Sequence, residues 1–274
     1  MLVSDELWRG YDAIGFDLDG VIYRGTSVIP AAPGVIETLR RAGVRVGFVT
    51  NNANLGPDAI CQTLAGLGIG ASPSEVVTSA QATARLMADA LPGGATVMCV
   101  GSQSLADEIT AVGLRPLPPA PGKVDAVCVG FSPDLTWADL NEGCYAVQSG
   151  AAYFACNGDL SRPTDRGLAV GTGGVLAAMG LTMPERAPVM GGKPASALFD
   201  EARRRLGAQR PLFVGDRLDT DVAGANRAGW ASLLVLSGAT DRSGLMLADG
   251  DSRPTYIADD VGGLLQPPQR TCLG

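Results

Sequence analysis

Two aspartates separated by one residue form the most suggestive chemical pattern in the chain. Asp17 and Asp19 follow the apolar run AIGF in the segment FDLDGVIYRG, where a strand would end. Residues i and i+2 of an extended chain point in the same direction, so both carboxyl groups would face one spot, and Gly20 lets the backbone turn there. Such a pair can supply a nucleophile or a proton donor, whereas a solvated acidic turn is the alternative for an isolated pair.

Three further polar segments lie at comparable places. Thr50, Asn51 and Asn52 follow the run VRVGFV, and the segment GDRLDTD at 215–221 follows PLFV. Lys193, in the segment GGKP, precedes a predicted helix and is one of only two lysines among 21 basic residues. Because the ligand crevice of an open parallel sheet lies at the carboxyl ends of its strands, we expect these groups to meet there. A solvated lysine at a helix start is the alternative for Lys193.

The composition excludes several classes of function. The 274 residues include no histidine, which removes Ser-His-Asp hydrolysis, HExxH zinc peptidases and His-ligated iron or copper. A hydrophobic content of 46% predicts a folded core, and the net charge of −7 with 5% aromatic residues argues against nucleic-acid binding. We therefore expect no nucleic acid and no membrane as partner.

The cytoplasm is the expected location. The six cysteines include no CxxC pair and lie mostly in apolar runs, which is typical of free cysteines in a reducing compartment. The first ten residues, MLVSDELWRG, lack the basic and apolar regions of a signal peptide. No apolar run approaches the roughly 18 residues of a membrane span.

The elements that position these residues follow a β-α-β rhythm. Short apolar runs rich in Val and Ile alternate with segments of helical periodicity, which predicts an α/β fold with a parallel sheet. The predicted strands are Ala13–Phe16, Val44–Val49, Ala95–Val100, Val124–Val129, Ala152–Cys156, Pro211–Val214 and Ser232–Leu236. The predicted helices are Gly34–Ala42, Ala82–Leu91, Trp137–Ser149, Ala195–Leu206 and Asp219–Ala228.

Local signals refine this pattern. Thr78 and Gln81 resemble a capping box ahead of one of the predicted helices. Proline and glycine crowd the stretches Leu114–Gly122 and Met183–Pro194, which are predicted to be irregular, as is the tail Leu264–Gly274.

The four polar segments, in this order, resemble the haloacid dehalogenase superfamily of aspartate-nucleophile phosphatases. The forms DLDGVIYRG, TNN, GGKP and GDRLDTD are similar to the branch that contains nitrophenyl phosphatases, phosphoglycolate and glycerol phosphate phosphatases, and pyridoxal phosphatases. The resemblance covers nearly the whole chain and implies a Rossmann-like parallel-sheet core with an inserted α/β cap. We expect the core at 1–80 and 189–274, and the cap, which would set substrate specificity, at 81–188.

The resemblance implies a role for each core residue. Asp17 would attack phosphorus and form an aspartyl phosphate, and Asp19 would protonate the leaving group and then take a proton from water. Mg²⁺ would be held by Asp17, the backbone carbonyl of Asp19 and Asp216, while Asp221 would orient a metal-bound water. Lys193 would offset negative charge around the phosphate.

Further donors are needed around the phosphoryl oxygens, because the site is rich in carboxylates. The expected donors are the backbone N–H groups of Leu18, Asn51 and Asn52 and the hydroxyl of Thr50. Asp219 is expected to cap the following helix, with an effect on the metal geometry as the alternative. Arg217 would either reach the substrate or form a local salt bridge, and the sequence does not decide between the two.

Within the predicted cap, the segment ACNGDLSRPTDRGLAVGTGG at 155–174 resembles the family's substrate-recognition loop. Relatives often have Asn-Pro-Asp where this chain has Asn-Gly-Asp at 157–159, and Pro-Gly-x-Gly where it has Val-Gly-Thr-Gly at 170–173. The candidate substrate contacts are Asn157, Asp159, Arg162 and Arg166. The alternative is that these side chains order the loop or face solvent.

The leading hypothesis is a Mg²⁺-dependent phosphomonoesterase that hydrolyses a small phosphorylated metabolite, such as glycerol phosphate, phosphoglycolate or a sugar phosphate. Pyridoxal phosphate is the alternative substrate. A phosphometabolite-binding protein with little turnover is the alternative from another class, and phosphoryl transfer to an acceptor other than water stays open. The resemblance is compatible with a homodimer formed through the cap.

Overall fold

The computed structural model describes residues 6–164 and 166–270. The chain divides into two compact units, of which the first comprises residues 1–50, 57–77 and 193–274 and the second comprises 51–56 and 78–192. The division into a catalytic core and a cap at the bounds given above stays a prediction. The last four residues of the predicted tail lie outside the described residues.

Strands and helices alternate along most of the chain. The strands are β1 (Ala13–Phe16), β2 (Tyr23–Arg24), β3 (Ser27–Val28), β4 (Arg45–Thr50), β5 (Val76–Thr78), β6 (Thr96–Val100), β7 (Arg115–Leu117), β8 (Ala126–Val129), β9 (Ala152–Ala155), β10 (Ser161–Thr164), β11 (Gly167–Val170), β12 (Val189–Met190), β13 (Pro211–Gly215), β14 (Ala231–Val235) and β15 (Tyr256–Ala258). The α-helices are α1 (Ala32–Arg41), α2 (Pro57–Gly66), α3 (Ser79–Ala90), α4 (Gln103–Ala111), α5 (Trp137–Gln148), α6 (Thr172–Gly180), α7 (Ser196–Leu206), α8 (Ala223–Arg227) and α9 (Arg242–Leu245). A π-helical turn at Leu218–Val222 precedes α8, and short 3-10 helices lie at Leu7–Gly10, Pro73–Glu75, Gly250–Ser252 and Val261–Leu265.

The first unit contains a sheet with the strand order β15-β14-β13-β1-β4-β5. The pairs from β15 to β4 are all parallel, and every residue of β1 and β13 is buried. Strands covered on both faces must be apolar throughout, which explains the runs AIGF and PLFV. Because β13, β1 and β4 are neighbours and run in the same direction, the segments that follow them leave the sheet side by side.

Aromatic packing fixes the position of α7 against this sheet. The rings of Phe199, Phe213 and Trp230 meet edge to face, with centroid separations between 4.9 and 6.3 Å. A Cβ atom at Gly15 in β1 would lie 3.1 Å from both Phe213 and Trp230. The rings therefore pack directly on the backbone of β1, where a larger residue would push them away.

The second unit has its own all-parallel sheet, with the order β12-β9-β8-β6-β7. Its helix α3 begins at the predicted capping box: the Thr78 hydroxyl accepts from the Gln81 backbone N–H, and the Gln81 side chain accepts from the Thr78 backbone N–H. The capping box is confirmed, and the helix begins at Ser79 rather than at Ala82 because the cap precedes the first helical turn.

Two stretches that the sequence predicts to be irregular each contain a short strand, so the prediction is wrong for those residues. β7 lies within Leu114–Gly122, and β12 lies within Met183–Pro194. Both are edge strands of the second sheet. An edge strand pairs on one side only, so it tolerates a proline such as Pro116 and can be as short as two residues.

The parallel α/β architecture expected from the sequence is confirmed, and each predicted strand overlaps an observed one. The predicted helix Asp219–Ala228 is wrong in its first half, where the chain forms the π-helical turn. Across the described part of the chain, no helix has both the length and the apolar character needed to cross a membrane.

Candidate active site

The loop after β1 brings two carboxyl groups to the carboxyl edge of the first sheet. Asp17 directly follows β1, and its backbone N–H donates to the Val214 carbonyl of β13 at 2.9 Å. Gly20 then adopts a positive φ of 82°, which L side chains rarely adopt. A Cβ atom at Gly20 would overlap the carboxylate of Asp216, so glycine is required both by the turn and by the neighbouring acid.

Asp216 follows β13 and is held by a loop from the next strand. Its Oδ2 accepts a 2.6 Å hydrogen bond from the Ala239 backbone N–H, and its carbonyl accepts from the Thr240 N–H at 3.1 Å. The Ser237 hydroxyl donates to the Gly20 carbonyl at 2.6 Å, and a Cβ atom at Gly238 would overlap the Asp216 carboxylate. The loop at 237–240 therefore fixes the orientation of this acid.

Asp221 is placed by the π-helical turn and is almost completely buried, with 1% of its side chain exposed. Its Oδ2 accepts from the backbone N–H groups of Asp216 and Arg217, each at 3.1 Å. A Cβ atom at Gly215 would overlap the Asp221 side chain. Gly215, the last residue of β13, thus allows the Asp221 side chain to pack against the end of the strand that precedes its turn.

Lys193 lies between two of these acids. Its Nζ is 2.6 Å from Asp17 Oδ1 and 2.7 Å from Asp221 Oδ1, and it donates to the Val49 carbonyl at 3.4 Å. Only 3% of the lysine side chain is exposed. The Lys193 ammonium also lies 5.3 Å from the centre of the Phe213 ring, so aromatic and carboxylate groups both favour its charged form.

Negative charge exceeds positive charge in this cluster. Carboxylate oxygens of Asp17, Asp216 and Asp221 all lie within 4.8 Å of one another, and the Lys193 ammonium contacts two of these acids, Asp17 and Asp221. Burial and the charge of Asp221 raise the pKa of Asp17 to about 7, although Lys193 opposes the change. Burial and the charges of Asp221 and Asp17 raise the pKa of Asp216 to about 8.

A divalent cation fits this donor set. The converging atoms are all carboxylate oxygens, which hard cations such as Mg²⁺ and Ca²⁺ prefer. Burial disfavours the charged form of Lys193, but the two acids that it contacts outweigh this and raise its pKa. The lysine therefore stays charged and offsets one of the three carboxylates, and a bound cation would offset the other two.

Asp19 lies apart from the three converging carboxylates and remains exposed. Partial burial raises the pKa of its carboxyl group, although the backbone N–H groups of Gly20 and Gly25 oppose this. An acid with a raised pKa and access to solvent can exchange protons with a leaving group or with water. The metal contact that the resemblance implies for Asp19 involves its backbone oxygen and stays a prediction.

Two other residues of the predicted phosphate site belong to the first unit. Thr50 is the last residue of β4 and is 7% exposed, so its hydroxyl lies at the carboxyl end of the strand beside β1. Leu18 is buried, and its carbonyl accepts from the N–H groups of Val21, Ile22 and Tyr23. Their roles as phosphate donors stay predictions.

The other predicted site residues belong to the second unit, where the structure connects three of them. The Asn51 side-chain amide donates to the Asp159 carboxylate, and the Asn157 amide donates to the Asn51 carbonyl. Asn52 is different, because its side-chain oxygen accepts from the backbone N–H groups of Asn54 and Leu55 and closes a turn.

The two arginines of the predicted recognition loop lie on the hairpin formed by β10 and β11. The Arg162 guanidinium lies 4.5 Å from the centre of the Phe131 ring, which holds it by a cation–π contact. Arg166 is exposed in the turn, where its backbone N–H donates to Thr164. Contact of either arginine with substrate stays a prediction.

Two findings correct or extend the sequence analysis. Asp219 does not cap a helix: it forms an exposed salt bridge with Arg217 at 2.8 Å, because the π-helical turn begins after Arg217 without a side-chain cap. The loop at 237–240 was not predicted to belong to the site. This loop follows β14 in the run LLVLSGAT. The reasoning that placed the other polar segments at the carboxyl ends of strands could therefore have found it.

Two family matches cover most of the first unit and part of the second. Residues 14–115 match the family described as haloacid dehalogenase-like hydrolase. Residues 190–264 match a second description of HAD-like hydrolases. The first match includes the Asp17 segment, and the second includes Lys193, Asp216 and Asp221.

Similar proteins extend over nearly the whole chain. A D-glycerol 3-phosphate phosphatase of Mycobacterium tuberculosis is 42% identical over 93% of this chain and 71% of its own length. The 5′-nucleotidase YutF of Bacillus subtilis is 33% identical over 92% of this chain and 97% of its own length. A crystal structure of glycerol phosphate phosphatase from M. tuberculosis in complex with magnesium has a TM-score of 0.92 and 40% identity, covering 96% of this chain and 79% of that one.

Replacing Asp216 by Asn tests whether this carboxylate binds a cation. We expect the cation-free Asp216→Asn protein to unfold at a midpoint about 2–4 °C higher at pH 7, because folding then no longer buries a carboxyl group whose ionised form is disfavoured by burial and by the charges of Asp221 and Asp17. We also expect its midpoint to stop responding to Mg²⁺ or Ca²⁺, whereas wild type gains about 2.7 kcal/mol at a cation concentration of 100 Kd. Thermal unfolding after chelation, with and without added cation, measures both effects.

Asp219→Asn is the matched control, since it makes the same chemical change three residues away on an exposed side chain. It should keep the full response to cation. An equal response in Asp216→Asn and wild type would contradict the assignment of this carboxylate as a ligand.

Proposed function

The chain belongs to the haloacid dehalogenase-like hydrolase family and is a phosphatase, and from this premise we propose that it hydrolyses glycerol phosphate with Mg²⁺ as the cation. The observation that carries the proposal is the cluster of three converging carboxylates, two of which contact one buried lysine. The 42% identity to a D-glycerol 3-phosphate phosphatase supports the choice of substrate.

Asp17 is the proposed nucleophile. One of its carboxylate oxygens forms a bond to phosphorus while the bond from phosphorus to the alcohol oxygen breaks, giving an aspartyl phosphate and the free alcohol. Contact with Lys193 favours the ionised, nucleophilic form of the acid, and Oδ1 is held at 2.6 Å by the lysine. A cation held by Asp17 and Asp216 would neutralise charge on the phosphoryl group during the reaction.

Asp19 is the proposed proton donor and acceptor. In the first step its carboxyl group protonates the leaving alcohol oxygen. In the second step it takes a proton from water, whose oxygen bonds to phosphorus as the bond to Asp17 breaks, and inorganic phosphate leaves. Its raised pKa and its exposure support this role, since the group must hold a proton in one step and accept one in the next.

The remaining residues are proposed to bind the substrate. Lys193, the Thr50 hydroxyl and backbone N–H groups at 18, 51 and 52 would surround the phosphoryl oxygens. Arg162 and Arg166 are proposed to contact the part of the substrate beyond the phosphate. The stacking of Arg162 on Phe131 supports its assignment, because a guanidinium held in place loses less conformational entropy on binding.

The substrate is tested by comparing phosphate esters. Glycerol 3-phosphate should have a kcat/KM at least about tenfold above those of phosphoglycolate, sugar phosphates and 5′-nucleotides, because contacts beyond the phosphate differ among them. Phosphate release with Mg²⁺ present measures each value. A higher kcat/KM for a 5′-nucleotide or a sugar phosphate would contradict the proposed substrate, and no hydrolysis of any ester would contradict the function.

Asp19→Asn tests the two-step mechanism with nitrophenyl phosphate, whose leaving group needs no proton. We expect one equivalent of nitrophenolate to be released rapidly, because Asp17 is intact, followed by turnover about 100-fold slower than wild type, since no base activates water. Stopped-flow absorbance records both phases. Asp17→Asn should show no rapid release of nitrophenolate, and a burst in that variant would rule out Asp17 as the nucleophile.

A further inference from the structure

The backbone and side chain of Asn51 are held by three residues of the second unit. The Asn51 carbonyl accepts from the Ser79 hydroxyl at 2.7 Å and from the Asn157 amide at 2.8 Å. The Asn51 side-chain amide donates to both oxygens of Asp159, at 3.1 and 3.3 Å. The peptide between Asn51 and Asn52 and the side chain of Asn51 are thus both fixed.

The loop that supplies Asn157 and Asp159 is itself rigidly built. The Asp159 N–H donates to the Asn157 side-chain oxygen at 3.2 Å, and the Asp159 carbonyl accepts from the Gly173 N–H at the start of α6 at 2.9 Å. The Leu160 carbonyl accepts from the Gly171 N–H at 3.0 Å. The loop therefore rests on the first turn of α6.

Two glycines allow this close approach. A Cβ atom at Gly171 would overlap the Asp159 carbonyl, and one at Gly173 would overlap the Gly158 carbonyl. The glycines at 171 and 173 are thus explained by the packing of the loop against the helix start. The neighbouring Thr172 is 2% exposed, which agrees with a structural role for this segment.

The polar side chains that hold the Asn51 carbonyl are buried, unlike most polar side chains on a protein surface. Asn157 is 5% exposed and Ser79 is fully buried, and both use their side chains to bond the Asn51 carbonyl. Hydrogen bonds in such a setting are stronger than on an exposed surface, and the loss of one partner leaves a buried polar group unsatisfied.

We propose that Asn157 and Asp159 are positioning residues that fix Asn51 for phosphate binding, rather than contacts of the organic part of the substrate. The inference rests on the proposed function, in which the N–H groups of Asn51 and Asn52 are phosphate donors. The Asn52 N–H lies on the peptide whose carbonyl is held by Ser79 and Asn157. Both Asn157 functional groups are engaged within the unit, and the Asp159 carboxylate faces the Asn51 amide.

The mechanism predicts a specific kinetic signature. When Asn51 is released, only a fraction of the molecules hold it in the binding arrangement, and the apparent affinity for phosphate falls by that fraction. A saturating substrate selects the competent molecules, so kcat changes little while KM rises. KM rises by the same factor for every phosphate ester, because Asn51 is proposed to bind the phosphate group that all these esters share.

The experiment compares Asp159→Ala with the isosteric Asp159→Asn. We expect Asp159→Ala to raise KM about tenfold for nitrophenyl phosphate and glycerol 3-phosphate alike, and to raise the inhibition constant of inorganic phosphate by the same factor. Asp159→Asn keeps an acceptor oxygen for the Asn51 amide, so its constants should stay within about twofold of wild type. Values of kcat should stay within about threefold in both variants.

A second variant guards against loss of folding in Asp159→Ala. Asn157→Asp conserves shape but removes the donor to the Asn51 carbonyl, so it should raise the same three constants. Asp134→Ala, an exposed acid in the same unit, is the matched control and should leave them unchanged. Thermal unfolding of each variant confirms that the comparison is made on folded protein.

The outcomes distinguish the inference from the function on which it rests. A wild-type protein that hydrolyses neither ester contradicts the proposed function. An active wild type with unchanged constants in both Asp159→Ala and Asn157→Asp overturns the positioning role. An effect confined to glycerol 3-phosphate, equal in Asp159→Ala and Asp159→Asn, also overturns it and identifies Asp159 as a direct substrate contact.

Discussion

The first unit is organised around a buried excess of negative charge. Three carboxylates converge within 4.8 Å, and the lysine between them offsets only one. Burial, together with the like charges at this distance, raises the pKa values of Asp17 and Asp216 and opposes folding of the cation-free chain at neutral pH. A bound cation would relieve this repulsion, so cation binding and the stability of the folded chain are linked.

The sheet makes this arrangement possible. Three adjacent parallel strands end at the same edge, and each delivers a polar group there: Asp17 after β1, Thr50 in β4 and Asp216 after β13. Glycines at 20, 215 and 238 then allow the backbone to approach the acids more closely than any side chain would permit. The rigid apolar strands below the site thus hold its charges against their mutual repulsion.

Sequence reasoning located the central site because strand periodicity and strand-end polarity are local signals. The segments around Asp17 and Asp216 could be placed at one sheet edge from such signals. Lys193 was singled out by its position before a predicted helix and by the scarcity of lysine in the chain. The short edge strands β7 and β12 could not be predicted in this way. Two or three residues carry no periodicity, and the pairing of these strands depends on a neighbour that is distant in sequence. The capping role predicted for Asp219 is wrong for a related reason: the π-helical turn shifts the helix start, and helical propensity does not report that. The salt bridge that Asp219 forms instead is the local one that the sequence left open for Arg217.

The convergence of Asp17 and Asp216 on one cation is the claim on which the account depends. The most direct measurement is the anomalous difference map of a crystal grown with Mn²⁺, which shares the oxygen ligands and octahedral geometry of Mg²⁺. The account predicts one strong peak within coordination distance of carboxylate oxygens from both aspartates. A fully occupied Mn²⁺ elsewhere in the molecule, with neither aspartate as a ligand, would contradict it.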